Sequence, residues 1–583
     1  MTKISTSHQF DPVTIEVVRN KLESIAEEMQ WTLLSTSFSA FVKEGMDCSA
    51  SLFTPTGTTL AQACAIPIHL TTLIPCVANI LEHFPVETMR EGDVFCMNDP
   101  YAGGTHIPDI AVVVPVLHGG RVIALSAAMT HHGDLGGMSP GSVPTNATSI
   151  FQEGIRIPAL RLCERGVYND TLIQLLCLNI RIPDIFMGDL RAQVAACTVG
   201  MRRLVALAER YGDPMTAIFD ILLDRSEQLT RLSLRALPKG TWRCVAFLDN
   251  DGIELEKRIR IEIQATIGDG RIHFDFTGTS PQVKGPVNCV PSGSQAAAYF
   301  AVRALTDPSI PTNGGCFRPV SLTLPEGSIV NPRVPAPVNS RAVTIKLIAN
   351  CMIGALSQVV PEKVPAFNAN QHILNFGGQY TDGTNFVMGE VVCGGTGARA
   401  GADGIDVLDA DATNGMNMPI EALELDFPLR MNRYELRPDT GGAGEFRGGL
   451  GVIREYESLA EEVFLTHRGE NHRSGVPGAA GGGEGARARS VIVRADGRTE
   501  VVPSKLMTIL GKGDRLICET AGGGGFGDPH RRSSAAIHRD IVDGKLTAQG
   551  ALLYGARSDA AAKDTPVNRT ADSAADELVN ISS

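Results

Sequence analysis

The stretch that most constrains the fold is Ile110–Thr130. Ile110-Ala111-Val112-Val113-Val114-Pro115-Val116-Leu117 is apolar and β-branched, His118-Gly119-Gly120-Arg121 supplies a turn, and Val122–Met129 returns. Gly-Gly accepts the positive φ that a tight hairpin turn demands. The pattern predicts a β-hairpin with Thr105-His106-Ile107-Pro108-Asp109 at one open end and Thr130-His131-His132-Gly133-Asp134 at the other. A two-residue loop pairs 109 with 130; a three-residue loop pairs 109 with 131 and puts both on one face. The sequence leaves both registers open, and in either one His106, Asp109 and His131 converge. Pro108 removes a backbone donor and biases Ile107 towards extended geometry, so the first motif is a loop and not a helix. Two imidazoles and a carboxylate suit a divalent transition metal such as zinc, manganese or iron. A lone histidine at a strand end is usually an ordinary polar residue; what distinguishes this cluster is three donor groups gathered by one hairpin.

A chain of 583 residues exceeds what one core supports, and roughly three or four domains are expected. The net charge of −12 argues against a nucleic-acid partner, which needs a basic face. No apolar run reaches membrane-spanning length, and the N-terminus lacks the apolar core of a signal peptide. Thirteen cysteines, an odd number without a Cys-x-x-Cys pair, are expected to be reduced, buried thiols of a cytoplasmic protein.

Along the chain, Asp11-Pro12 opens a helix with Asp as N-cap and Pro at its first position, and Ile15, Val18, Leu22, Ile25, Met29 and Leu33 follow at helical spacing. Glu44 and Asp47 precede a strand. His69, at the start of a helix over 70–84, either fills the core or lines a site. A Gly/Pro/Ser/Thr-rich loop follows His131 and could serve as a lid. Residues 184–234 read as two helices separated at Tyr211-Gly212-Asp213-Pro214. The fold class expected is mixed α/β (α+β) and multidomain: an N-terminal α/β metal-site domain (1–237), a central α/β domain (238–430) with strands over 242–276 and then helices mixed with glycine-rich loops from about 280, a β-rich domain (431–530), and a small helical unit with a mobile tail (531–583). The glycine tracts Gly394–Arg399 and Gly522–Pro529 could cradle an anion, yet none matches a P-loop or a dinucleotide fingerprint.

Asn98-Asp99-Pro100-Tyr101 with Gly104-Thr105-His106-Ile107-Pro108-Asp109 resembles the signature of the hydantoinase B family. Asp275-Phe276-Thr277-Gly278-Thr279-Ser280, Gly394–Arg399, Thr440–Gly451 and Gly522–Pro529 fit the same pattern in the same order. The resemblance covers about Asp11 to Tyr554; the tail after Gly555 departs from it.

That resemblance implies one divalent transition metal, zinc foremost with manganese or iron as alternatives, at His106, Asp109 and His131. It adds a carboxylate from the Glu44–Asp47 segment: Asp47 as ligand, with Glu44 as base or alternative ligand. His132 and Asp134 would orient ligands or shuttle a proton, and His69 would assist catalysis. It also implies a partner, an actin-like ATPase A subunit that uses ATP and Mg to phosphorylate the substrate oxygen, in a heterotetramer or larger assembly. The activity expected is hydrolytic ring opening of a small cyclic amide (hydantoin, lactam or 5-oxoproline type). The alternatives are a subunit of an ATP-dependent ketone carboxylase of the acetone or acetophenone type, and a non-catalytic scaffold stabilised by metal.

Overall fold

The structure, a computed structural model, describes residues 10–212 and 215–555. It is a mixed α/β protein of several sheets and hydrophobic cores. The expected mobile tail beyond 555, and Asp213 and Pro214 between the two helices, lie outside the described residues; the helices flanking that point are Pro183–Tyr211 and Met215–Arg235.

The hairpin is the centre of a seven-stranded sheet. Its strands, Asp109–His118 and Arg121–His131, are flanked by Cys48–Phe53 on one side and Val94–Met97 on the other. The apolar run lacks polar alternation because both faces are covered. Val112 and Val114 pack in the core that includes Val18, Leu22 and Met29 of helix Pro12–Thr36 and Leu190 and Ala196 of helix Pro183–Tyr211. Ala111 and Val113 face the opposite core, with Leu73 and Val77 of helix Pro67–His83. The first helix starts as its sequence requires: the Asp11 carboxylate accepts from the Thr14 amide at 3.3 Å, and Pro12 opens the first turn.

The register combines the two alternatives open from sequence. The turn is two residues long, with His118 opposite Arg121 and Leu117 opposite Val122. A bulge follows: Val116 lies opposite Ala124, leaving Ile123 as the extra residue, and every later pair shifts by one. Asp109 therefore pairs with His131, not with Thr130.

A second layer holds the four-stranded sheet Gly240–Leu248, Ile259–Gly268, Arg271–Asp275 and Val320–Thr323 against helices Pro291–Leu305 and Ala342–Leu356. The third part is a β-sandwich. One sheet contains Asn385–Val392, His372–Gln379, Val463–Arg468 and Lys505–Leu510; the other is five-stranded, with Gly451–Ser458 and Arg515–Glu519 near its middle. Leu374, Phe376 and Leu465 meet Val452, Ile492 and Leu516 between them. The first sheet joins residues 372–392 to residues 463–510 across the boundary expected near 430. Strands 372–379 and 385–392 fall where only helices and glycine loops were expected, because Asn375, Gly377 and Gly378 interrupt the apolar pattern.

The glycine tracts pack against one another, backbone to backbone. A Cβ on Gly395 would stand 1.9 Å from the Gly449 carbonyl oxygen, one on Gly523 1.9 Å from that of Thr396, and one on Gly448 2.0 Å from that of Gly523. Main chains this close admit no side chain. Since the obstructing atoms are backbone, Gly523→Ala should cost about 3 kcal/mol, at the upper end for overpacking. It would be read as a lower urea midpoint at unchanged slope; a wild-type midpoint would show that the tracts have room to part.

Candidate metal centre

Three adjacent strand ends build the site. Asp109 lies opposite His131, and the pairing of Cys48 with Thr130 continues by one residue so that the His131 amide donates to the Asp47 carbonyl at 3.1 Å. Residues 47, 131 and 109 thus occupy one row across the sheet, and one row faces one way. His106 joins from the preceding loop, where the Asn98 side-chain amide donates to the Ile107 carbonyl at 2.7 Å and the Ile107 amide donates to Asn339 Oδ1 at 3.0 Å. Gly104 permits this loop's tight approach: a Cβ there would lie 2.6 Å from the Asn98 carbonyl oxygen. His69 enters from the first turn of helix Pro67–His83.

His106 Nε2 lies 2.8 Å from Asp109 Oδ1, His69 Nε2 3.2 Å from the same oxygen, and His69 Nε2 3.4 Å from Asp47 Oδ1. One donor atom each from His106, Asp109 and His131 fall within 4.8 Å of one another. His106 Nδ1 is 3.3 Å from the Asn339 carbonyl; a proton placed there donates to that oxygen and leaves Nε2 as a lone pair beside Asp109. The other Asp109 oxygen, Oδ2, accepts from Thr105 Oγ1 at 3.0 Å and from Arg341 Nη2 at 2.8 Å.

The electrostatics favour coordination. Burial alone would raise the Asp109 pKa, but His106, His69 and Arg341 hold it well below the carboxylate range. Burial, aided by Arg341, pushes His106 down to about 4, and burial with His106 drives His131 well down. Two neutral imidazoles and an ionised carboxylate result, the protonation states a metal ligand requires. His106 Nε2, Asp109 Oδ1 and His131 Nδ1 are buried and form no hydrogen bond, a costly arrangement for polar atoms with no further partner. This donor set fits a divalent transition metal, with Asp47 and His69 adjoining it; burial lifts the Asp47 carboxyl to about 6.

Of the other residues singled out from sequence, three lie elsewhere. His132 follows His131 in the chain and faces the opposite way by strand alternation: its Nε2 is 2.9 Å from Gln193 Oε1 and its ring packs on Phe186. Asp134 anchors the following loop through the Gly136, Gly141 and Arg181 amides and the Arg181 guanidinium. Glu44 caps the short helix Ala40–Lys43, and Met46 at φ 55° turns the chain so that Asp47, not Glu44, reaches the cavity.

The cavity also contains residues that carried no sequence signal. Arg341 comes from just before helix Ala342–Leu356, and Asn375 and Arg468 come from the sandwich. Arg468 donates to Asn375 Oδ1, its Nε is unbonded, and no carboxylate within 4 Å neutralises it among the described residues. Burial and the nearby Arg341 push its ionisation down to about 9. Glu153, farther off, offsets that shift only in part, so a buried guanidinium stands beside a cluster of metal-ligand type.

Fold and site together define a multidomain α/β chain with a candidate metal centre at the mouth of a hairpin. A family profile described as hydantoinase B/oxoprolinase matches residues 11–529. The chain belongs to the hydantoinase B/oxoprolinase family, and like its catalytic relatives it is an enzyme. It is 34% identical to the caprolactamase subunit beta of Pseudomonas jessenii, over 94% of this chain and 96% of that one. The crystal structure of the ATP-dependent caprolactamase from that organism superposes with a TM-score of 0.87 at 32% identity, covering 94% and 96% of the two chains. The chain is 30% identical to 5-oxoprolinase of Dictyostelium discoideum over 89% of its length, which spans 40% of that longer protein. An acetone carboxylase structure shares the fold, with a TM-score of 0.87 at 21% identity over 95% of this chain and 80% of that one. Among the described residues no helix is long and apolar enough to cross a membrane.

Glu153 braces the loop behind His106, accepting from the Val338 and Asn339 amides at 2.8 Å each. Burial pushes its carboxyl up to about 8, against the pull of those two amides. A raised folded-state pKa means that the folded protein keeps a proton the unfolded chain has lost. That contribution to stability is complete below the unfolded value near 4.5 and is lost as pH rises through about 8. Urea midpoints measured from acid to mildly alkaline pH should fall across this window, and Glu153→Gln should flatten the fall; an unchanged slope would mean that Glu153 does not carry it.

Proposed function

We propose that this chain is the metal-containing hydrolytic subunit of an ATP-dependent cyclic-amide hydrolase. It acts on a hydantoin-, lactam- or oxoproline-type ring whose carbonyl oxygen an actin-like ATPase partner has phosphorylated. The observation that carries this reading is Arg468, a buried cation with no carboxylate within 4 Å among the described residues, lining the same cavity as Asp47, His69, His106 and His131.

An amide resists hydrolysis through resonance, and phosphorylating its oxygen leaves a more electrophilic carbon and a doubly charged group to be bound. Arg468, steered by its bond to Asn375 Oδ1, would hold that phosphate. His106, Asp109, His131 and Asp47 would hold a zinc, manganese or iron ion. When bound, such an ion supplies Lewis acidity, polarising oxygen at the reacting centre. Arg341 keeps Asp109 ionised and oriented by bonding its outer oxygen. His69 is the proton holder: burial would lower its pKa, but Asp109 and Asp47 outweigh burial and raise it. One water adds its oxygen to the carbon, the His69 Nε2 proton goes to the ring nitrogen as the C–N bond breaks and is replaced by a proton of that water, and a second water then cleaves the remaining acyl phosphate to carboxylate and inorganic phosphate. The glycine tracts of this chain are filled by their own backbone packing, which supports assigning phosphorylation to a second chain.

The test is to co-express the chain with its ATPase partner and follow ATP-dependent ring opening over a panel of lactams and hydantoins. Arg468→Ala should lower kcat/KM by about 10²-fold with metal content retained, and His106→Ala should lose both metal and activity. Full activity of Arg468→Ala would remove the proposed phosphate anchor. Conversion of a ketone and labelled bicarbonate to a keto acid, with no ring opening, would replace hydrolysis by carboxylation.

A further inference from the structure

A second group of donor residues lies between the two sheets of the sandwich, apart from the site above. His372 opens one strand and His467 lies near the end of its neighbour in the same sheet; Cys518 comes from the facing sheet. One donor atom of each falls within 4.8 Å of the others, and all three residues are fully buried. His372 Nδ1 stands 2.7 Å from Cys518 Sγ. A third imidazole, His472, stacks on His372 with ring centroids 5.0 Å apart and stands edge-on to His467 at 5.8 Å.

Hydrophobic packing does not account for this group. His372 Nε2, His467 Nδ1 and both nitrogens of His472 are buried without a hydrogen bond. A neutral imidazole has one N–H and one lone pair to satisfy, and leaving them unmet in a core carries the desolvation penalty of each group. The remaining His467 nitrogen, Nε2, is 2.9 Å from Ser490 Oγ, the outer hydrogen bond that fixes a ligating ring and leaves its other nitrogen free. Gly469 provides the space: a Cβ there would lie 2.7 Å from His472 Cε1 and 3.1 Å from His372 Nε2. The His472 side chain is 11% exposed, which makes it the rim of the group, and its Nδ1 stands 3.9 Å from Asp249 Oδ2.

We propose that His372, His467 and Cys518, with His472 as the fourth donor, form a second metal site for a thiophilic divalent ion of the zinc type, pinning the two sheets of the sandwich together. Mixed imidazole and thiolate donors closing a tetrahedron are the make-up of structural zinc sites. Burial pushes the Cys518 thiol up to about 12 and drives His372 well down. Without an ion the group is therefore neutral, and binding forms a metal–sulfur bond as the thiol proton leaves to solvent. The site is independent of the proposed hydrolysis, and its ligands differ in kind: it contains sulfur, whereas the hairpin cluster contains only nitrogen and oxygen donors.

That difference supplies the test. The full-length chain, stripped with a chelator and titrated with Co²⁺ alone, should take up two ions and develop a thiolate-to-cobalt charge-transfer band. Cys518→Ser should abolish the band and lower uptake to one ion per chain, and His106→Ala should keep the band while losing the other ion. Removing the metal from His106→Ala should lower its Tm, because only the sandwich site is then filled. Should Cys518→Ser not fold, X-ray absorption at the zinc edge of the wild-type chain decides: sulfur in the coordination shell supports the site. A wild-type chain that takes up one ion, loses it in His106→Ala and never shows a sulfur signature overturns the proposal.

Discussion

An ionised carboxylate with no solvent exposure holds this structure and its chemistry to one geometry. Asp109 is fully buried, and removing a charge from water costs several kcal/mol unless its partners are close and well aligned. Its partners come from three places: His106 from the same loop, His69 from the helix over the sheet, and Arg341 from the layer beyond. The hairpin cannot keep that charge unless the helix beginning at Ala342 docks beside it. The contact that assembles two layers is thus also the one that sets the protonation of the centre.

The cavity divides its tasks by element. The seven-stranded sheet contributes the metal-type donors, whose positions are set by strand register and so resist displacement. The sandwich contributes Asn375 and Arg468, which face the cavity from the outer side of their sheet, while Leu374 and His467, one residue away in each strand, face the sandwich interior. Metal-type donors and the proposed anion anchor therefore rest on separate scaffolds, and a substrate that touches both must span the junction between them.

Much of this was legible in the residues. The hairpin, its glycine turn, the capped first helix and the convergence of His106, Asp109 and His131 follow from alternation, turn chemistry and spacing. The register was not legible, because it depends on Ile123 being an extra residue in one strand, and a bulge within an apolar run leaves no mark in its composition. Asp47 entered through family resemblance; its physical basis is the pairing of Cys48 with Thr130, a contact across some eighty residues. Glu44, His132 and Asp134 were attractive for their proximity in sequence; His132, next to His131, points the other way, Asp134 is held in the following loop, and the turn at Met46 brings Asp47 rather than Glu44 to the cavity. Arg341 and Arg468 left no local trace, since what defines them is the company they keep in three dimensions. The strands over 372–392 were hidden by the polar and glycine residues that suit a cavity wall.

The glycine tracts also bear on how such a chain can change. Where main chain touches main chain there is no side chain left to exchange, so this part of the molecule can be kept or broken but not adjusted. On the proposed function, retuning for a ring of different size would fall to the apolar lining of the cavity, at positions such as Ile373 and Met418. A rigid interior of this kind leaves diversification to a few surfaces facing the substrate.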